Sequence, residues 1–149
     1  MTADATPLDD DPPLVSVVMP VRNESRFIAR SLGAVLRQDW PRLEVVIADG
    51  GSTDDTRAQI AALAAQHPRV PVIVIDNPAG IVAPGLNRAI RRSRGAIVVR
   101  VDGHTEIATD YVRCCVAALA STGADNVGGR MDAVAASTPW GRAIADATS

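Results

Sequence analysis

Apolar residues follow two alternating rhythms along the chain. Short, β-branched runs recur at residues 14–20 (LVSVVMP), 43–48 (LEVVIA), 70–76 (VPVIVID) and 96–102 (AIVVRVD), the signature of strands. Between them the spacing changes. Residues 24–37 place Phe27, Ile28, Leu32, Val35 and Leu36 at helical intervals. An Ala-rich stretch after GGSTDD predicts a second helix to about Gln66, and further helices are expected over 82–94 and 109–121. The segment 124–134 (ADNVGGRMDAV) reads as one more strand, bent at its glycine pair. Residues 1–13, acidic and Pro-rich, read as a disordered tail ahead of a domain over 14–149.

Strands alternating with helices predict an α/β fold with a mostly parallel sheet and helices on both faces. Strands one, two and four are nearly continuous in apolar residues, as expected of strands covered on both sides. In such sheets ligands bind beyond the carboxyl ends of the strands. Attention therefore falls on Pro20–Glu24, Asp49–Ser52, Asp76–Gly80 and Asp102–His104.

Composition narrows the function classes. The chain has 149 residues, enough for one cored domain. Hydrophobic residues are 47% and aromatic ones only 3%, so Ala, Val, Ile and Leu must build the core. All 15 basic residues are Arg, the net charge is -2, and no basic run dominates, so no nucleic-acid partner is expected. No apolar run reaches the roughly 20 residues of a membrane span, and no secretory leader is visible. A soluble, cytoplasmic chain is the expectation. Cys114 and Cys115 are adjacent and read as small residues on a helix, not as a disulfide.

The strand exits carry the candidate chemistry. Neither GxGxxG nor GxxxxGK[ST] occurs, so the dinucleotide fingerprint and the phosphate loop are missing. After strand one, Arg22 and Asn23 are placed to face a ligand; the competing reading is a helix start with Asn23 as its cap. After strand two, Ser52 and Asp55 have capping-box spacing. That accounts for GGSTDD but not for Asp49, a carboxylate positioned to accept from a base or ribose. At the fourth exit stands VDGH. If the backbone stays extended, Asp102 and His104 project to one side and form a mixed O/N pair suited to Mn²⁺ or, with more oxygen, Mg²⁺. The competing reading is a hydrogen-bonded turn.

Taken in order, MPVRNES, VVIADGGSTDDT, GLNRAI and RGAIVVRVDGH resemble the nucleotide-binding half of a glycosyltransferase family 2 enzyme with a Rossmann-like GT-A fold. IDNPAGIVAPGLNRAI and TGADNVGGRM are similar to its bacterial exopolysaccharide branch, typified by succinoglycan glucosyltransferases. The resemblance covers roughly residues 14–147. It implies inverting transfer from a nucleotide-diphosphate sugar, commonly a UDP-sugar, to a saccharide or lipid-linked acceptor, with a divalent metal, Mn²⁺ or Mg²⁺. It also implies that full-length relatives associate with the inner face of the cell membrane. Pro20, Val21, Arg22, Asn23 and Glu24 would line the nucleoside pocket. Asp49 matches the first acid of the family's Asp-Asp-Gly-Ser segment, with Gly50 in place of the second. Asp102 matches the first Asp of Asp-x-Asp and would touch ribose or metal-bound diphosphate, with His104 in place of the second Asp as a metal ligand. Asn87 and Arg88 would lie on the helix before strand four, where Arg88 approaches the phosphates or covers a solvated face. The general base belongs to an acidic motif in the family's second half. Neither Asp125 nor Asp132 is assigned that role, and the catalytic base is unknown. The chain is therefore expected to be an N-terminal part, truncated before the acceptor half. Two other readings stand beside this one: a non-catalytic remnant acting as a binding or interaction module, and an unrelated α/β phospho-acceptor or cofactor domain.

Overall fold

A computed structural model describes residues 11–129 of the protein. Four strands and four helices alternate: β1 (Val15–Val21), α1 (Ile28–Leu36), β2 (Leu43–Asp49), α2 (Thr56–Gln66), β3 (Val72–Asp76), α3 (Val82–Arg92), β4 (Ile97–Arg100) and α4 (Tyr111–Thr122). The strands form one parallel sheet in the order β3-β2-β1-β4. β1 and β2 are central and buried along their whole length, which explains their unbroken apolar runs.

The period-2 alternation of the strands divides the core in two. Val15, Val17, Met19 and Val21 of β1, with Leu43, Val45 and Ile47 of β2, pack against Ile28, Leu32 and Val35 of α1, Ile60 of α2 and Val112 and Val116 of α4. The opposite face sends Val18, Val46 and Ala48 against Ala89 and Leu86 of α3. Each fully buried Val, Leu or Ile side chain contributes about 1.5–3 kcal/mol relative to exposure. The first layer, built mainly on large aliphatic residues, is the main source of stability.

Four expectations need correction. Helix α1 begins at Ile28, not at residue 24, because a turn over 25–27 intervenes; Asn23 is not its cap. Strand β4 is not covered on both faces by the described residues. Among the described residues it is an edge strand, and Val98 is 41% exposed beside a groove of ≈ 450 Å³ formed with α3, α4 and residues 125–127. Residues 124–129 contain no strand, and the remainder of the expected fifth strand lies outside the described residues. Finally, α2 has no capping box: its N-cap Asp55 makes no side-chain bond to the helix, and Ser52 is used elsewhere. Cys114 and Cys115 are free and lie on α4, as expected.

A buried polar network locks the amino end of the sheet. The Glu44 carboxylate, fully buried on β2, accepts from the Ser16 hydroxyl at 2.7 Å, the Arg94 backbone N–H at 2.7 Å, and Arg94 Nε and Nη2 at 2.9 and 2.8 Å. Ser16 Oγ in turn accepts from the Gly95 N–H at 2.8 Å. A Cβ on Gly95 would meet the Ser16 backbone N and Oγ at 2.6 Å and Leu14 O at 2.8 Å, so only glycine fits at this crossing.

Candidate functional site

The parallel register brings the carboxyl ends of the strands level. Val21 pairs with Asp49, and Asp49 with Asp76. The Val101 N–H donates to Val18 O, which carries the chain from β4 up to Asp102. Above this edge lies a cleft of ≈ 220 Å³ lined by residues from each strand exit, including Pro20, Arg22, Glu24, Gly50, Asn77 and Asp102. Complete ligand pockets usually measure about 300–1,000 Å³, so the cleft is smaller than a complete pocket.

The loop after β1 is fastened to the loop after β2. Asn23 sits at φ 54, a left-handed conformation that asparagine tolerates better than most residues. Its Oδ1 accepts from the Thr53 N–H at 2.8 Å, and Ser52 Oγ accepts from its backbone N–H at 3.0 Å. Asp54 accepts from the Thr56 hydroxyl and from the Ser25 and Thr56 N–H groups, and these bonds, the Thr56 hydroxyl foremost, hold its carboxyl well below the usual range. The Glu24 N–H donates to Thr56 Oγ1 at 2.9 Å.

Asp49 lies beneath this loop pair with its side chain fully buried. It accepts from the Ser52 hydroxyl and N–H and from Arg57 Nε at 2.6 Å. Arg57 also reaches Asp76. Burial alone would raise the Asp49 carboxyl, but the Ser52 and Arg57 bonds outweigh it and leave the group below its ordinary value. The side chain that sequence reasoning singled out here therefore has its oxygens committed within the protein. Arg57, the second residue of α2, carried no sequence signal for this role.

At the fourth exit the chain does not stay extended: Thr105 N–H donates to Asp102 O, closing a turn. The i, i+2 argument therefore fails, although both side chains line the same cleft. Asp102, with its side chain 33% exposed, accepts from Arg100 Nε at 2.9 Å and Nη2 at 3.2 Å. His104 Nδ1 lies 3.1 Å from Glu24 Oε1 and its ring meets Phe27 edge-on at 6.5 Å. With Glu24 accepting from Nδ1–H, the Nε2 lone pair is left for a ligand. Glu24 is thus more than a wall of the pocket, because it orients the histidine. Ser31 Oγ donates to Gly103 O at 2.6 Å and ties the turn to α1.

The third exit holds a residue that sequence reasoning passed over, although its position beyond β3 pointed to it. Asn77 is 3% exposed, its Nδ2 donates to Ile81 O at 2.8 Å, and its Oδ1 finds no donor among the described residues. A buried acceptor left unpaired costs about 1–3 kcal/mol. Arg22 crosses from β1 over Gly50 to donate from Nη1 to Gly80 O at 3.2 Å. Arg88 and Asn87 stand apart from the cleft. Arg88 Nε donates to Asp76 O at 2.9 Å, and both side chains are exposed on α3.

A parallel α/β sheet with a polar cleft across its strand exits is a Rossmann-like architecture. Residues 16–144 match the sequence model of "Glycosyl transferase family 2", and the chain belongs to that family. It is 38% identical over 126 residues to the succinoglycan biosynthesis protein ExoA of Rhizobium meliloti, covering 82% of this chain and 37% of that protein. It is 32% identical over 122 residues to glycosyltransferase AglE of Haloferax volcanii, covering 80% and 40%. Among solved structures it matches mannosyltransferase PcManGT from Pyrobaculum calidifontis, in complex with GDP-Man and Mn²⁺, with a TM-score of 0.70 and 33% identity over 80% of this chain and 36% of that one. The chain thus spans about two fifths of the length of these relatives.

Proposed function

We propose that this chain forms the donor-binding part of an inverting glycosyltransferase, holding a nucleotide-diphosphate sugar and a divalent cation at the strand exits for transfer to a saccharide or lipid-linked acceptor in polysaccharide synthesis. The observation that carries the reading is the shared cleft of Arg22, Glu24, Asn77, Asp102 and His104, built on a sheet that matches a mannosyltransferase solved with GDP-Man and Mn²⁺. Relatedness to proteins of succinoglycan and colanic acid biosynthesis supports the link to polysaccharide synthesis.

The donor set suits Mn²⁺ or Mg²⁺. Asp102 offers carboxylate oxygen, His104 offers Nε2, and Glu24 orients the imidazole in the manner of a carboxylate–histidine pair at a metal centre. Among the described residues no cluster of three or more His, Cys, Asp or Glu side chains is assembled, so any cation would depend on the donor's diphosphate for most of its ligands. When bound, the cation would neutralise charge on the departing diphosphate. The protein's own contribution is positioning. The loops after β1 and β2, locked through Asn23, Ser52 and Thr53, shape the nucleoside side of the cleft. Asp49 and Arg57 act beneath, holding that shape. Arg100 is a cation at the rim that can exchange Asp102 for phosphate oxygen. The acceptor's general base is unassigned. Among the described residues no helix is long and apolar enough to cross a membrane.

Isothermal titration of the chain with UDP and GDP, with and without Mn²⁺, tests this. Metal-dependent binding that Asp102→Asn weakens by roughly tenfold or more, with the fold intact, is expected. Equal affinity in mutant and parent would remove Asp102 from the site.

A further inference from the structure

We infer that Arg100 is a positioning residue that withholds Asp102 from a divalent cation until a diphosphate draws the guanidinium away, so that the cleft takes up its metal together with the donor and not before it. The inference rests on the nucleotide-sugar reading and adds a control over its metal site.

The two candidate ligands at the fourth exit are held in opposite ways. Glu24 Oε1 lies 3.1 Å from His104 Nδ1 and leaves Nε2 for a ligand. Asp102 is closed off instead of presented. Arg100 Nε donates to its Oδ1 at 2.9 Å and Nη2 to its Oδ2 at 3.2 Å, so one guanidinium engages both carboxylate oxygens. This two-pronged contact is the geometrically specific form of an arginine–carboxylate pair. A guanidinium seated there opposes a cation twice, by occupying the oxygens and by repelling its charge.

The origin of Arg100 decides how it can leave. It is the last residue of β4 and pairs in register with Val18. The turn closed by the Thr105 N–H on Asp102 O follows directly. Asp102 lines the cleft of ≈ 220 Å³, whereas Arg100 lines the separate groove of ≈ 450 Å³ beside β4, so the arginine reaches the carboxylate from outside the cleft. Its side chain is 55% exposed, and among the described residues its guanidinium makes no other hydrogen bond. An ion pair this exposed adds little net stability, so it parts at small cost.

A diphosphate is the better partner for the guanidinium. It carries more charge than one carboxylate, and its oxygens match the same two-pronged geometry. Once Arg100 turns to phosphate, both Asp102 oxygens are released beside His104. Arg100 thus ties the availability of Asp102 to the presence of the nucleotide, and by linkage the coupling acts equally in both directions.

The test is electron paramagnetic resonance titration of Mn²⁺ with the full chain, parent and Arg100→Gln, with and without saturating UDP. Without nucleotide, Arg100→Gln should bind Mn²⁺ about fivefold tighter than the parent or more. With UDP the gain should disappear, because the parent has by then released Asp102, and the coupling between UDP and Mn²⁺ should fall by the same factor. In an Asp102→Asn background the Arg100→Gln change should alter Mn²⁺ affinity by less than about twofold, since no carboxylate is left to release. The unfolding midpoint of Arg100→Gln should match the parent's. An equal gain with and without UDP reflects only the loss of a positive charge and overturns the inference, as does a gain that persists in Asp102→Asn. Unchanged Mn²⁺ affinity without UDP overturns the withholding role and leaves the nucleotide site standing. No binding of UDP by the parent under any metal condition overturns the nucleotide-sugar reading and release by diphosphate with it.

Discussion

Replacing Glu44 by Gln removes one charge from the buried network at the amino end of the sheet and changes almost no volume. In the parent, four hydrogen bonds converge on the carboxylate, two of them from the Arg94 guanidinium. A Gln side chain can offer its oxygen to Ser16 Oγ and the Arg94 N–H, but its amino group then faces the guanidinium, donor against donor. Two charge-assisted bonds at about 1.5 kcal/mol each amount to about 3 kcal/mol. The Arg94 side chain is 61% exposed and recovers water when released, which reduces the expected loss to about 2 kcal/mol. The pH dependence carries the same information. Burial pushes the Glu44 carboxyl up, but the Ser16 hydroxyl and the Arg94 N–H and guanidinium outweigh it, so it sits below its ordinary 4.5. A depressed folded-state value means that this stabilisation is complete above the unfolded value, near 4.5, and is lost as pH falls through the folded one. Urea unfolding followed by far-UV circular dichroism from pH 7 to pH 3 measures both. Glu44→Gln should unfold at lower urea at neutral pH, and the gap to the parent should narrow in acid. A difference under about 0.5 kcal/mol at pH 7, with parallel acid limbs, would refute the argument that charge holds this corner together.

Glu24→Gln should lower Mn²⁺ affinity about 10–100-fold by loosening His104 while leaving the unfolding midpoint near the parent's; electron paramagnetic resonance titration of free Mn²⁺ reads this directly, and unchanged affinity would exclude an orienting role. Gly95→Ala should destabilise by more than about 1–3 kcal/mol, because the new methyl group meets the backbone of β1 and no flexible side chain there can yield. A melting temperature equal to the parent's would show that the α3–β4 turn has slack that the packing does not suggest.

Some of this protein is local and some is not. The alternation of β-branched runs with helical spacing determines the parallel α/β layout, since period 2 and period 3.6 are properties of neighbouring residues. The strand exits then follow, and with them Pro20–Glu24, Asp49 and Asp102–His104 as residues of interest. The ordered motifs were specific enough to indicate the family. What spacing could not supply is which side chains meet across the sheet. Ser16, Glu44 and Arg94 are joined only because β1 lies beside β2 and the α3–β4 turn folds back over both. Asp49 is silent in sequence about being closed off by Arg57, and Asn77 about its unpaired oxygen. Asp102 and His104 share a cleft through a turn, closed by the Thr105 N–H on Asp102 O, and not through an extended strand, and Arg100 and Glu24 then each bind one of them. Strand order and register made these decisions: they bring together groups tens of residues apart, and the energies that then choose partners, desolvation against hydrogen bonding and charge, act through space and not along the chain.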